Sequence, residues 1–332
     1  MRNVMAGHRA WQPTCTLDTA RRRAEMLSRA RNFFASREVL EVETPLLGLC
    51  PVSDPNIDSV RALLQFDRGQ HRYLHTSAEY RMKRLLCAGF PDIYSICKVF
   101  RDGEAGKRHQ PEFTMAEWYR RGFGLQDMIQ ESCDFISELL DPGRLTQKAD
   151  SIRYSDLFLR HAGLDPLQAD CAAMASAAEA DHRLQSVIGD DRDEWLDLVM
   201  SRKIAPAMAR DRLTVVHHYP ASQAALARIC PDDAGVADRF EVFFGDIELA
   251  NGYVELTDAE TQWRRWQADQ EGRRRKNKPQ LPLDDALIGA LRSGMPACAG
   301  VAVGFDRLLM INEQCDDIAQ VQTFAFERNH ST

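Results

Sequence analysis

Three segments of this 332-residue chain carry side chains able to do chemistry together. In the first, Val99-Phe100-Arg101 ends one apolar run and His109-Gln110-Pro111-Glu112-Phe113-Thr114-Met115-Ala116-Glu117-Trp118-Tyr119 begins the next, with a charged loop between them. An arginine at the end of one strand and an aromatic ring at the start of the returning strand can clamp a nucleotide. The guanidinium meets phosphate or carboxylate oxygens as a planar fork, and Phe113 offers a stacking face to adenine. The second segment, Arg239 to Leu256, places Glu241 and Glu248 on neighbouring strands joined by a Gly245-Asp246 turn, with Glu255 seven residues beyond Glu248. Carboxylates that converge in a cleft either hold a divalent ion bridging phosphates or neutralise a cationic substrate. The third, Gly300-Val301-Ala302-Val303-Gly304-Phe305-Asp306-Arg307, has small residues that let backbone approach a ligand, and Arg307 opens the following helix. Singly, each has a bland reading as solvated hairpin or close packing.

Other motifs fail on spacing. Gly103-Glu104-Ala105-Gly106-Lys107-Arg108 has two residues between its glycines and no Ser or Thr after the lysine, so it is not a phosphate loop of the Walker type. No G-x-G-x-x-G follows a strand, and no G-x-S-x-G occurs. His71 and His75 fall in an extended run, where a spacing of four does not make a metal-binding face. The basic run Arg273 to Lys278 reads as a solvated helix end, where cations suit the dipole.

The elements needed to position these groups follow from periodicity. Helices are expected at Thr16–Arg37 (capped by Asp18 or Thr19, with Leu27, Ala30 and Phe34 on one face), Ala78–Ala88, Leu125–Leu140, Asp258–Arg274 and Phe305–Asn312. Strands are expected at Val39–Val42, Arg72–Thr76, Ile93–Phe100, Phe113–Tyr119, Leu213–His218, Arg239–Phe244, Ile247–Leu256 and Ala299–Gly304. Residues 141–212 read as a mostly helical insertion with little chemistry in a single catalytic domain spanning 1–332. Strands scattered among helices without regular alternation favour an α+β fold with an antiparallel sheet.

Forty-two basic and forty-nine acidic side chains leave a net charge of −7, which argues against a general nucleic-acid binder but not against a local RNA patch. No run reaches the roughly 18 apolar residues of a membrane span. Met1 to Trp11 carries charges and no apolar core, so no secretory signal is expected. Nine scattered cysteines, none spaced C-x-x-C, suit a reduced cytoplasmic protein without disulfides or structural zinc.

Jointly the three segments resemble the catalytic core of class II aminoacyl-tRNA synthetases. Leu40-Glu41-Val42-Glu43-Thr44-Pro45 resembles motif 1, Phe100-Arg101 through Thr114 motif 2, and Gly300 to Arg307 motif 3. Thr76-Ser77-Ala78-Glu79, Phe113 to Tyr119 and Glu248-Leu249-Ala250-Asn251-Gly252 are most similar to lysyl-tRNA synthetases. The resemblance runs from about Asp18 to the end of motif 3. It implies an antiparallel sheet flanked by helices, ATP and Mg²⁺ as cofactors, and a homodimer built on motif 1. It also implies that Arg101 bridges the α-phosphate and the substrate carboxylate, that Arg307 faces the γ-phosphate, and that Glu241 and Glu248 hold Mg²⁺. Arg101, Asp102, Gly103, Glu104, His109, Gln110, Phe113, Glu248, Leu249, Gly304 and Arg307 would contact ATP. Ser77, Ala78, Glu79, Glu117, Tyr119, Asn251, Glu255 and Ala302 would line the amino-acid pocket. The residue types agree, since a diamino acid brings two ammonium groups and three carboxylates are their complement.

Two departures refine this. Synthetases of the lysyl type carry an N-terminal OB-fold, whereas here the helix before motif 1 begins near residue 18, leaving no room for its five strands. A free-standing core of this size resembles the elongation factor P–(R)-β-lysine ligases, which make a β-lysyl adenylate and pass the acyl group to a lysine ε-amino group of elongation factor P. That implies elongation factor P and β-lysine as substrates and no stable binding of tRNA. Ala302, where lysyl-tRNA synthetases have glycine, would reshape the pocket floor against α-lysine. Tyr219 to Ala224 and Met295 to Cys298 also resemble the ligases more. The second departure is Gly103, where motif 2 usually has glutamate; either Glu104 or backbone at Asp102 and Gly103 would meet the adenine amino group. Alternatives are a truncated lysyl-tRNA synthetase charging tRNA and a non-catalytic, amino-acid-binding regulatory subunit.

Overall fold

The central element of the fold is an eight-stranded sheet in the order β1-β5-β6-β11-β10-β9-β8-β7. The computed structural model describes residues 11–67 and 69–326. The expectation about a leader therefore rests almost wholly on residues outside those described. The strands are β1 (Leu40–Glu41), β5 (Ile93–Phe100), β6 (Glu112–Arg121), β7 (Asp150–Arg153), β8 (Leu213–Pro220), β9 (Val236–Phe244), β10 (Ile247–Val254) and β11 (Cys298–Gly304). A small second sheet pairs β2 (Leu47–Gly48), β4 (His71–Leu74) and β3 (Arg61–Leu63). The interior pairings are antiparallel, as the sequence suggests, but both edge strands run parallel to their neighbours. Neither β1 nor β7 is a hairpin partner of the strand it joins. Each reaches the sheet edge from a distant helical segment, so no tight turn dictates its direction.

Helices α1 (Leu17–Ala35), α3 (Leu125–Leu139) and α10 (Phe305–Glu313) pack against one face. In α1 the stripe is Met26, Ala30, Phe33 and Phe34, at helical spacing. Its cap is Thr16, whose side chain accepts a hydrogen bond from Thr19 N at 3.1 Å, rather than Asp18 or Thr19. Phe34 stacks on Tyr94 at 4.1 Å and meets Trp118 edge-on at 5.2 Å, while Trp118 lies 4.9 Å from Phe135. These rings lock α1 and α3 onto β5 and β6.

The opposite face is covered at one end by α2 (Glu79–Cys87), α8 (Ala259–Arg275) and α9 (Asp285–Ser293). At the other end lie α4 (Tyr154–Ala162), α5 (Cys171–Ala177), α6 (His182–Ile188) and α7 (Arg192–Val199). Tyr154, Phe158, Trp195 and Leu196 of this group pack on Val216, Tyr219 and Phe243 of the sheet. Between the two helical groups the sheet face is only partly covered, with Glu241, Glu248, Asn251, Ala302 and Gly304 half-buried, and this strip forms a trough.

Two local expectations change. The basic run is a solvated helix end only in part: Arg274, Arg275 and Lys276 are exposed, but Arg273 is only 2% exposed and donates to Pro279 O, Asp54 O and Asp58 Oδ1. Lys278 reaches the other oxygen of Asp58, whose carbonyl accepts from Asp102 N at 2.7 Å. The run thus anchors the loop that backs motif 2, and the buried guanidinium is tolerated because its donors are paired. Helix α9, which short length and weak periodicity hide, was not anticipated. No described helix is long and apolar enough to cross a membrane, and all nine cysteines are free.

Candidate active site

Register decides which side chains meet in the trough. Directly opposed residues in an antiparallel pair point to the same face. One row runs Ser95–Glu117–Ala302–Asn251–Glu241–Val216 across six strands. The next runs Ile93–Tyr119–Gly300–Tyr253–Arg239. In the central strand the trough-facing positions are Gly300, Ala302 and Gly304, whereas Ala299, Val301 and Val303 enter the core beneath. Alternate small residues in β11 therefore hollow out the floor. A register shift between Glu248 and Ala250 places Glu248 opposite Phe243 and Asn251 opposite Glu241. Glu248 and Asn251, three apart, would face opposite ways in a regular strand; this bulge puts both in the trough.

At one end is an acidic pocket. Glu117 is fully buried and accepts hydrogen bonds from Tyr119 OH at 2.7 Å, Ser77 Oγ at 2.8 Å and Ala78 N at 3.1 Å. Burial pushes its carboxyl up to about 7, with Glu79 adding to the rise and the three donors opposing it. Tyr253 OH donates to Glu79 at 3.0 Å. Glu255, just past β10, is also buried, and burial drives it above the ordinary carboxylate range. A residue that sequence reasoning missed completes the pocket: Lys83 Nζ lies 2.5 Å from Glu79 Oε1 and 2.6 Å from Glu255 Oε2. The signal was present, because Glu79 and Lys83 stand four apart on one helix.

Gly300 is required here. A methyl group on it would sit 2.5 Å from both Glu255 Oε1 and Tyr119 Cε1. Gly300→Ala is expected to displace both groups, raising KM for the amino-acid substrate at least tenfold while KM for ATP changes less than twofold, as read by steady-state pyrophosphate exchange.

The other end of the trough is cationic at its rim. Arg101 lies 5.1 Å over the Phe113 ring, and its nearest carboxylate, Glu104, is 3.6 Å away. Its Nε is buried without a hydrogen-bond partner among the described residues, and with Glu104 only loosely placed the guanidinium keeps donors available to a ligand's oxygens. Arg307 donates to Glu248 O at 2.7 Å and contacts His109 Nε2 at 2.8 Å. Burial and the Arg307 charge hold His109 below the usual imidazole pKa, so the ring is neutral and accepts that bond. Gly103 adopts φ +78°, a turn that moves the motif 2 acid to Glu104, facing Arg101. Gln110 is buried with its Oε1 accepting from Phe326 N at 3.1 Å; its side chain ties the loop to the C-terminal segment. Leu249 is buried, and Gly304 caps α10 on the trough side.

Between the two ends lie Glu241 and Glu248. Glu241 accepts from Tyr219 OH at 2.7 Å and Arg239 at 2.5 Å. Burial raises its carboxyl above the ordinary range, Arg239 opposing and Glu248 adding to the rise. Glu248 is 42% exposed at the trough mouth. Arg239 holds one oxygen of Glu241 and Arg307 lies 3.6 Å from Glu248 Oε2, yet two hard carboxylate donors on adjacent strands at a half-open site still fit a small divalent cation such as Mg²⁺. Arg239 is the second residue missed: it donates to Asn251 Oδ1 at 3.2 Å, Gln223 O at 2.6 Å and Glu241, joining the amino-acid and metal ends. The 141–212 segment is less inert than expected, since Gln223 is braced by Asp197 at 2.9 Å and Ser222 by Asp193 at 2.7 Å. Elsewhere His218, Cys230 and Asp238 bring ligand-type atoms within 4.8 Å of one another, but Arg228 already holds Asp238 at 2.7 Å.

The sheet order, the two arginines and the carboxylate rows define a class. The profile of tRNA synthetases class II (D, K and N) matches residues 13–328, and the chain belongs to that family. Within it, the chain is 40% identical over 328 residues to a protein of Sodalis glossinidius, covering 98% of this chain and 100% of that one. It is 41% identical over 322 residues to one of Haemophilus ducreyi, covering 96% and 97%, and 42% identical over 318 to one of Mannheimia succiniciproducens, covering 95% and 97%. Each of the three relatives is an elongation factor P–(R)-β-lysine ligase.

Proposed function

We propose that the chain is an ATP-dependent ligase that activates (R)-β-lysine as an adenylate and transfers it to a lysine ε-amino group of elongation factor P. The observation that carries this reading is the buried carboxylate pocket of Glu79, Glu117 and Glu255, across the trough from Arg101, which only Glu104 at 3.6 Å meets and whose Nε has no hydrogen-bond partner among the described residues. An amino acid with two ammonium groups satisfies the pocket, and its carboxylate then lies towards Arg101. The near full-length identity to ligases of that name supports the same substrate pair.

In the first step the substrate carboxylate attacks the α-phosphorus in line, and pyrophosphate leaves. Arg101 neutralises both reacting anions, Phe113 stacks on adenine, and Arg307, fixed by Glu248 O and His109, takes the γ-phosphate end. Mg²⁺ held by Glu241 and Glu248 would screen charge on the triphosphate. Asp102, Gly103 and Glu104 frame the adenine edge, with backbone at Leu249 and Gly304 beneath. Ser77, Ala78 and Tyr119 orient Glu117, Asn251 is fixed by Arg239, and Ala302 sets the floor height. Positioning and charge neutralisation do this work without a protein nucleophile. In the second step the acceptor amine attacks the mixed anhydride and AMP leaves.

Incubating the protein with ATP, β-lysine and elongation factor P is expected to add one β-lysyl group to the acceptor, read by intact mass. No mass increase, with efficient charging of total tRNA by lysine instead, would replace this reading by that of a truncated synthetase. We also place the enzyme in a reducing cytoplasm, where nine free cysteines persist. We further infer a homodimer through the motif 1 region, where Leu40, Leu46, Leu49, Leu63, Phe66 and Phe90 are exposed. Sedimentation at micromolar concentration is expected to give twice the chain mass, and Leu49→Asp together with Phe66→Asp to give monomer.

A further inference from the structure

The acidic pocket contains a cation of its own. Lys83 is one of the largest fully buried side chains, and its ammonium bridges Glu79 on its own helix to Glu255 beyond β10. The Tyr253 ring lies 5.7 Å from the same ammonium. Glu117 and Tyr119 face the cluster from β6, Cys298 from β11 and Cys87 from the end of α2. A buried ion survives only when its partners are close and well placed, which these are. We propose that Lys83 is a specificity-determining positioning residue: it cancels one of three buried carboxylates and clamps two of them, leaving a pocket of two net negative charges that selects an amino acid bearing two ammonium groups.

The count works with the rest of the site. The substrate carboxylate is met by Arg101, so only its two ammonium groups reach the pocket. A monoamino acid of the same length leaves one buried carboxylate without a counter-charge, which must then take up a proton or be resolvated. Burial opposes the charge on Lys83, but Glu255 and Glu79 outweigh it and hold the ammonium well above lysine's usual pKa. Reciprocally, the Lys83 ammonium opposes the rise that burial imposes on the Glu255 carboxyl. Remove it, and Glu255 must ionise against burial and against the charges of Glu79 and Glu117 with nothing opposing them, so the pocket becomes ready for a dication only at higher pH.

This inference rests on the ligase reading, and the assay separates the two. Amino-acid-dependent pyrophosphate exchange is measured from pH 6 to 8.5 with β-lysine and with its analogue lacking the ε-amino group, for wild type, Lys83→Met and Lys83→Arg. No diamino-acid-dependent exchange by the wild type would sink the ligase reading itself. With exchange present, Lys83→Met is expected to raise KM for β-lysine at least tenfold at pH 7, the defect shrinking by pH 8.5. The pH below which binding weakens moves up by a unit or more, the preference for β-lysine over the analogue falls at least tenfold, and KM for ATP stays within twofold. Lys83→Arg keeps the charge and is expected to keep the wild-type pH limb. A pH-independent defect, an equal defect in KM for ATP, or a Lys83→Arg limb displaced like that of Lys83→Met would overturn the assignment. So would a Lys83→Met protein that fails to fold while Lys83→Gln folds with the wild-type pH profile. Failure of both neutral variants to fold would make Lys83 a structural residue, and would equally refute the proposal.

Discussion

Arg101→Ala is expected to lower kcat for adenylate formation by about a thousandfold, roughly 4 kcal/mol of transition-state stabilisation. The guanidinium is only loosely held: Glu104 is 3.6 Å away, the Phe113 ring 5.1 Å, and the buried Nε has no hydrogen-bond partner among the described residues. Its donors therefore strengthen most when charge develops on the α-phosphoryl group and the entering carboxylate, the condition for a catalytic rather than a binding effect. Lys at this position restores the charge but not the bidentate fork, so Arg101→Lys is expected to fall between the two. Pyrophosphate exchange at saturating ATP and amino acid measures the loss. A drop confined to KM for ATP would mean that Arg101 only helps to bind the nucleotide. Folding should be little affected, because the side chain is 25% exposed and in no tight ion pair.

The second large effect is at Glu117. Glu117→Gln keeps the volume but removes the charge that receives an ammonium group, and KM for β-lysine is expected to rise by a factor of about 100 to 1000, on the order of 3–4 kcal/mol for breaking a buried charged pair. The pH dependence identifies the cause. With its carboxyl pushed up to about 7 by burial and by Glu79, Glu117 in the free enzyme binds a proton over the range in which a surface glutamate would be ionised. That proton competes with the substrate ammonium. Wild-type KM for β-lysine is therefore flat above about pH 7 and rises as pH falls below it, approaching tenfold per unit, whereas Glu117→Gln loses this limb. Equal limbs in the two proteins would assign the titration to another group. Tyr119→Phe, which deletes the 2.7 Å bond to Glu117, makes the carboxylate harder to ionise and should shift the wild-type limb upward.

Residue identity and spacing were enough to single out the three segments, the two arginines, the carboxylates at 117, 241, 248 and 255, and nearly every strand that carries them; motif 1 and Glu79 came from the resemblance to lysyl-tRNA synthetases. These features are local: alternation, a turn, a cap or a small-residue run is written within ten consecutive residues. Even the site face of β11 was foreshadowed by its glycines. What folding alone decided is longer in range. The parallel edge strands, the burial of Arg273 beneath the motif 2 loop, and the bracing of Gln223 and Ser222 by the 141–212 segment each join residues far apart in the chain. Lys83 and Arg239 are the sharpest cases. Each has one carboxylate in its own segment, Glu79 for Lys83 and Glu241 for Arg239, but only the packing of α2 against the end of β10, and of Tyr219, Glu248 and Asp197 around β9, adds the remaining partners and removes water. A buried charge takes its meaning from every neighbour within a few ångströms, and adjacency along the chain supplies only some of them; the packing and register of the fold bring the rest.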